Sequence, residues 1–368
     1  MVSKLCQYFQ GKTIRHYSGI MAISISVLAG FVLGSCEGAP ADGPTSLPGV
    51  IQDVVVHNVF SKDVQIADWT EEEGGIHIYD PSQFSMGFVR QEDRYVPPVQ
   101  LPQNDELHLL TGQPLLLDLI VISQRHSTLL ISVLVDYQQV PFTLDGMLSL
   151  LHEIRVEEGG DLYIPMQIDI SEPGAHDFII VAFRDPYNRP WDHEARDDCR
   201  VSGRRAVVII DDIDEPVQTV IPDVVGVPPP PDVDFGVRVL FADVPTSPSD
   251  SSHPSQRQMR MTARGNAGEL FRYQLWLSNY DLPDETVDYG LMRFLDFHQT
   301  EFKGKNLYVA HFDGRQEAIV EDQLELPAQP SVHEAQIVYV FDPYKSLLRN
   351  EVLAPFVFSS GCLGIDAR

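Results

Sequence analysis

One segment of this chain occurs twice. Pro173-Gly-Ala-His176-Asp177-Phe-Ile-Ile180-Val181-Ala-Phe-Arg-Asp185-Pro186-Tyr187 is matched without a gap by Pro330-Ser-Val-His333-Glu334-Ala-Gln-Ile337-Val338-Tyr-Val-Phe-Asp342-Pro343-Tyr344, at an offset of 157. Proline, histidine, a following acid, Ile-Val and Asp-Pro-Tyr all return in place. Flanking segments agree with small shifts. Val135-Asp136-Tyr137-Gln-Gln139-Val-Pro-Phe142 pairs with Leu295-Asp296-Phe297-His-Gln299-Thr-Glu-Phe302 at an offset of 160, and Ser202-Gly203 pairs with Ser360-Gly361 at 158. On that last pairing Cys362 aligns with Arg204, so Cys199 and Cys362 are not equivalent. Two copies of one unit make a tandem pair rather than a solenoid, which needs at least three.

Strand signals dominate both copies. Short apolar or alternating runs bounded by Gly, Pro, Asp and Asn predict strands at Leu115–Ser123, Leu129–Tyr137, Asp161–Ile170, Phe178–Phe183 and Ala206–Ile210. The second set is Gly236–Phe241, Phe271–Leu277, Asn306–Phe312, Ala335–Phe341 and Val352–Phe358. Helical periodicity is confined to Thr143–Glu153, which predicts one short turn or helix. Between the two sets lies Asp211–Phe235, with the acidic run Asp211-Asp212-Ile213-Asp214-Glu215 and then Pro228 to Pro231. Consecutive prolines cannot donate to a ladder and favour an extended stretch, so this reads as a semi-rigid spacer.

Many short strands separated by turn signals predict an all-β chain of sandwiches. The repeated Pro-Gly-x-His, followed by an alternating apolar strand, is similar to the penultimate strand of immunoglobulin-like β-sandwiches. The resemblance covers one strand and its turn per copy. It implies two tandem immunoglobulin-like domains, with a polar corner residue capping backbone groups before the strand enters the core. The organisation expected is a leader at 1–35, a tether at 36–50, a first domain with an N-terminal extension at 51–212, an acidic and Pro-rich linker at 213–235, and a second domain at 236–368.

The first 35 residues differ in kind from the rest. They hold no Asp or Glu, carry Lys4, Lys12 and Arg15, and then run apolar from about Ile20 to Leu33. A basic head, a short apolar body and small residues before a cut describe a secretory signal. A spanning helix needs about 20 apolar residues, and Gly30 interrupts this run. Leu33-Gly34-Ser35-Cys36 then resembles the lipobox of bacterial lipoproteins: an aliphatic residue, two small ones and a cysteine. The resemblance implies cleavage before Cys36 and acylation of that cysteine. Two or more acyl chains anchor stably where one does not. Residues 37–50, EGAPADGPTSLPGV, read as a flexible tether.

Removing the leader leaves about 330 residues, enough for two domains. Net charge is −27 and becomes −30 once Lys4, Lys12 and Arg15 are lost with the leader. That excess argues against nucleic acid and against electrostatic docking on anionic lipid. Cys6 lies in the leader and Cys36 is the lipid site, so Cys199 and Cys362 alone remain for a disulfide. They fall in different predicted domains, and the sequence leaves their pairing open.

Few residues offer chemistry. His176 and His333 each sit beside an acid, as a general base would. Their recurrence favours a structural corner, since a fold-level role must repeat and an active site need not. The Asp-Pro-Tyr triplets read as strand-ending turns. His-Glu occurs at His152-Glu153, His193-Glu194 and His333-Glu334, but none continues to the second histidine a zinc helix requires. The loop Asn188–Cys199, with Trp191, Asp192, His193, Glu194, Asp197 and Asp198, is the densest polar patch. A solvated acidic loop is its simplest reading, with calcium or a glycan as the alternative. Asp211–Glu215 lacks the glycine and ligand spacing of a calcium-binding loop. No phosphate loop, nucleophile elbow or Cys-x-x-Cys pair is present, so no cofactor is expected. The expectation is a non-catalytic envelope lipoprotein that holds a protein or glycan partner near the membrane. The alternative is an extracytoplasmic hydrolase or glycan-binding enzyme accessory on the same anchor.

Overall fold

Valine, isoleucine, leucine and phenylalanine fill the long runs of this chain, and a run that is apolar at nearly every position suits a strand covered on both faces. The computed structural model describes residues 53–61, 64–67, 84–97, 106–123, 126–157, 161–187, 201–230, 239–245, 247, 252–257, 262–279, 285–344 and 357–368. These all belong to one structural unit, Gly43–Arg368. The leader, Cys36, the tether and the 188–199 loop with Cys199 lie outside the described residues.

The first half supplies β1 (Val54–His57), β2 (Gln65–Ala67), β3 (Phe84–Arg90), β4 (Glu106–Leu109), β5 (Leu115–Ser123), β6 (Ser127–Val135) and β7 (Gln138–Val140). It continues through β8 (Phe142–Leu144), β9 (Met147–Ser149), β10 (Leu151–Val156), β11 (Asp161–Ile168), β12 (Gly174–Arg184) and β13 (Val201–Ile210). The second half supplies β14 (Val224–Val225), β15 (Val239–Ala242), β16 (Thr262–Gly265), β17 (Leu270–Ser278), β18 (Thr286–Leu295) and β19 (His298–Thr300). It ends with β20 (Tyr308–Asp313), β21 (Glu317–Glu325), β22 (Ser331–Phe341), β23 (Phe358–Ser359) and β24 (Leu363–Ala367).

One strand order is built twice. The larger sheet of the first half runs β1-β10-β6-β12-β13-β4, and that of the second runs β14-β20-β18-β22-β24-β16. In each, the two outermost strands join in parallel and the rest are antiparallel. The facing sheets are β3-β5-β11, extended by β8, β9 and β2, and the shorter β15-β17-β21. No sheet crosses from one half to the other among the described residues. The chain is therefore all-β, as two tandem immunoglobulin-like sandwiches, each with its own apolar core.

A third apolar cluster joins the two copies. Leu130, Leu134, Ile179, Val181 and Phe183 of the first pack with Met292, Phe294, Phe297, Val338 and Val340 of the second. Apart from Phe297, in the turn after β18, these side chains stand on the outer faces of β6, β12, β18 and β22, so the central strands are covered on both sides. All of β12 is buried. The run after His176, read from sequence as alternating, is in fact doubly buried. Each fully buried Leu, Val or Phe contributes about 1.5–3 kcal/mol.

Two sequence expectations meet a different structure. Thr143–Glu153 forms no helix: it holds most of β8, all of β9 and the start of β10. Asp145 and Gly146, at φ 47° and 79°, make the tight hairpin turn that an Asp-Gly pair favours. The segment read as a spacer is docked at two places among its described residues. Ala175 N donates to Glu215 O and Val217 N to Ala175 O, while β14 pairs with β20 and Val227 exchanges hydrogen bonds with Glu317. The acidic and proline signals report exposure here, and the apolar Val224 and Val225 between them form an edge strand.

Candidate functional site

Each copy places its conserved-in-repeat histidine at a hairpin corner. Asp136 and Tyr137, at φ 50° and 64°, turn the chain from β6 into β7; Asp296 and Phe297, at 48° and 70°, do the same between β18 and β19. Short polar residues tolerate this left-handed backbone, which explains the aspartate in both copies. The Asp136 carboxylate accepts from Asp177 N at 3.1 Å and meets His176 Nδ1 at 2.7 Å. The Asp296 carboxylate accepts from Glu334 N at 2.8 Å and meets His333 Nδ1 at 2.7 Å. Both histidines thus fasten a side-chain carboxylate, and only His176 also makes the backbone contact expected from sequence.

The second imidazole nitrogen separates the copies. His176 Nε2 donates to Glu172 O at 2.6 Å, so both nitrogens face oxygen. Burial pulls its pKa down, but Asp136 and the Glu172 carbonyl outweigh burial and raise it. His333 Nε2 is buried without a hydrogen-bond partner. The Asp-Pro-Tyr aspartates are also paired features. Asp185 and Asp342, both at φ 46°, clamp Thr128 and Asp288 by donating from their own N–H at 2.7 Å and accepting at 3.2 Å.

The seam between the copies has near two-fold character at its polar rim. Gln139 N donates to Gln299 Oε1 at 2.7 Å, and Gln299 N donates to Gln139 Oε1 at 2.9 Å. Their amides reach Phe297 O at 3.3 Å and Tyr137 O at 2.6 Å. Such reciprocity is what a self-complementary interface produces.

Symmetry then fails at its centre. Fully buried Arg205 donates to Asp177 through Nε at 2.9 Å and Nη2 at 2.8 Å. It continues across the seam to Phe341 O at 2.7 Å and Asp342 O at 3.1 Å. Tyr137 donates to Asp177 Oδ2, which also accepts from Tyr344 N at 2.6 Å. Burial pulls the guanidinium pKa down, yet Asp177 outweighs it and the net shift is upward. Burial, the largest influence, pushes the Tyr137 phenol well above its usual range. Strand register puts Phe297, Glu334 and Cys362 at the corresponding places in the second copy. Register therefore makes Cys362 the counterpart of Arg205, one residue from the sequence alignment. Cys362 is buried; Cys199 is outside the described residues.

A second histidine cluster was not singled out as a pair from sequence. His57 of β1 and His152 of β10 are buried, with His57 Nε2 and His152 Nδ1 at 2.9 Å. His152 Nε2 lies 3.0 Å from Phe142 O and must donate to it. With His152 neutral, its Nδ1 accepts and His57 Nε2 donates, so the contact is lost as a simple pair once His152 is protonated. Burial dominates the lowering of both, to about 4 for His152. In the second sandwich, Glu317 accepts from Trp276 Nε1 at 2.8 Å and faces His253 Nε2 at 3.0 Å beneath the turn Pro254–Arg257. Asp211 is held by Thr111 through hydroxyl and amide, which lowers its pKa, and the rest of Asp212–Glu215 is exposed. No cluster of three potential metal ligands occurs among the described residues.

No helix among the described residues is long and apolar enough to cross a membrane. The sequence matches no protein-family model and no curated protein. Solved structures give distant likenesses. The calcium binding domain CBD12 of CALX1.1 is 9% identical with a TM-score of 0.19, over 63% of this chain and 76% of that one. Escherichia coli alpha-2-macroglobulin activated by porcine elastase is 10% identical with a TM-score of 0.22, over 79% of this chain and 22% of that one. Dimeric latent PorU from Porphyromonas gingivalis is 6% identical with a TM-score of 0.20, over 79% and 21%.

Proposed function

We propose that this chain is a bacterial envelope lipoprotein, anchored through Cys36, whose paired sandwiches serve a structural or recognition role without catalysis. The observation that carries the reading is Leu33-Gly34-Ser35-Cys36 placed after a basic head and an apolar run. The body suits that role. Its buried ionisable groups serve internal contacts: His176 holds a hairpin, Arg205 ties two copies together, and His152 pins an edge strand. A seam that buries apolar side chains from both copies makes one stiff body rather than two beads on a string. Stiffness suits a platform that presents loops at a set distance from a membrane.

Mass spectrometry of the mature N-terminus tests the anchor. Acyl mass on Cys36 is expected, and Cys36→Ser should release the protein or block its maturation. An unmodified N-terminus elsewhere would refute the reading.

A further inference from the structure

The geometry points to the tip of the β8–β9 hairpin as a second, apolar contact with the lipid surface that holds the chain. The inference rests on the lipid-anchor reading and adds which face of the body meets the bilayer.

The two copies supply the argument. In the second, the hairpin closes within four residues: Phe302 and Lys305 bond to each other around Lys303-Gly304. In the first, the same hairpin is eight residues long, Phe142–Ser149, and turns at Asp145-Gly146. The inward part of the extension needs no partner beyond the protein, because Leu144 is fully buried and pairs with Met166. The outward part does. Met147 and Leu148 are 38% and 68% exposed, side by side at the tip. Where the longer copy carries Met-Leu, the shorter carries Lys-Gly-Lys. A second exposed apolar residue lies on the loop beside the tip. Val59 is 83% exposed, and Ser61 N donates to Asp145 Oδ2 at 2.8 Å.

The path of the chain identifies what covers this tip. Ser149, next to Leu148, donates through Oγ to Asp53 O at 2.8 Å. The described fold therefore begins beside this hairpin. Residues 37–52 span at most about 55 Å when fully extended. That length bounds how far the start of the described fold, and the hairpin beside it, can lie from Cys36. Asp53 and Asp145 border the tip, and the whole chain carries −27, so the attraction is apolar and suits a zwitterionic surface.

The test uses the mature, full-length protein in vesicles of phosphatidylcholine brominated in its acyl chains. Leu148→Trp and Lys303→Trp are compared, each read as added emission over the parent chain. Acyl mass on Cys36 and flotation with vesicles are recorded for both, and equal melting temperatures show that both fold. The Leu148→Trp emission should shift to the blue and be quenched, and the Lys303→Trp emission should do neither. Acylated, floating protein with both tryptophans unquenched would overturn the hairpin contact while leaving the anchor intact. Equal quenching of both would overturn its restriction to this tip. A blue shift that depends on protein concentration and needs no vesicles would assign the tip to a second copy of this chain instead. Absence of both acyl mass and flotation would remove the anchor, and the contact with it.

Discussion

The two sandwiches share a strand order, a hairpin corner and an aspartate clamp, yet they meet their common seam with different chemistry. The first copy brings Tyr137, Asp177 and Arg205; the second brings Phe297, Glu334 and Cys362. A duplicated unit that packs against its own copy faces a physical conflict. Two guanidiniums near a two-fold axis would repel in a medium that screens poorly. Here one copy keeps the cation, and its donors serve two carbonyls of the other copy. Identical positions at the centre of such a seam must diverge, while positions at its rim, such as Gln139 and Gln299, stay the same.

The largest expected difference follows from this. Breaking a buried pair by removing one partner leaves an uncompensated charge, at about 3–5 kcal/mol. Arg205→Ala should lose that much in urea-induced unfolding, and Cys362→Ala, its counterpart, about 1–2 kcal/mol. Equal losses would mean that the ion pair adds nothing over packing.

Acid offers the next comparison. His152 is held near 4, below its ordinary 6.5, because burial penalises its charged form. A histidine lowered on folding contributes stability that is complete above pH 6.5 and declines as pH falls toward 4. The loss should approach about 3 kcal/mol, at 1.36 kcal/mol for each pKa unit. Its first structural sign should be exchange of the β1 amides, since His57 is the strand's only fully buried side chain. His152→Leu should flatten the profile between these values. His176 acts in the opposite sense. Its pKa is raised, so its contribution is complete below pH 6.5 and fades as pH rises through the raised value. Stability loss in mild acid therefore belongs to the His57–His152 pair and not to His176.

The two corner histidines should also differ from each other. His176→Ala strands the Asp136 carboxylate and the Glu172 carbonyl, at about 1–3 kcal/mol, whereas His333→Ala strands the Asp296 carboxylate alone. Calorimetry should show the larger fall in melting temperature for His176→Ala, with partner binding of the folded protein unchanged in both. Loss of binding without loss of stability would move the histidines into function. The smallest effect is a gain. Gln336 is buried at the seam with neither amide atom hydrogen-bonded, where the first copy has Ile179. Gln336→Leu should raise stability by about 1 kcal/mol, since an unsatisfied buried amide is costly. A clear loss would reveal a partner for the amide.

Much of this was legible because it depends on neighbours in sequence. Asp136-Tyr137 and Asp296-Phe297 mark turns by local backbone preference. Leu115–Ser123 announces a strand by its composition, and it is one. The hairpin at Phe142–Ser149 was legible too, in Asp145-Gly146, but spaced leucines there imitate a helical period. Thr286–Leu295 and Glu317–Glu325 escaped notice for opposite reasons. The first mixes Asp288 and Arg293 into an apolar run, and the second alternates acids with small apolar residues. The first is a central strand of its sheet and the second pairs along its whole length with β17, and pairing is not a local property.

Sequence by itself determined that the chain is all-β, that one unit is used twice, and that its first 35 residues differ from the rest. Each of these is written in periodicity, repetition or composition, which need no knowledge of what touches what. Tertiary structure alone decided that the copies pack face to face, that Arg205 serves carbonyls more than 130 positions away, and that His57 meets His152. Those contacts arise when strands distant in the chain become neighbours, and side chains that look solvent-facing in a single sheet become buried when a second sheet closes over them.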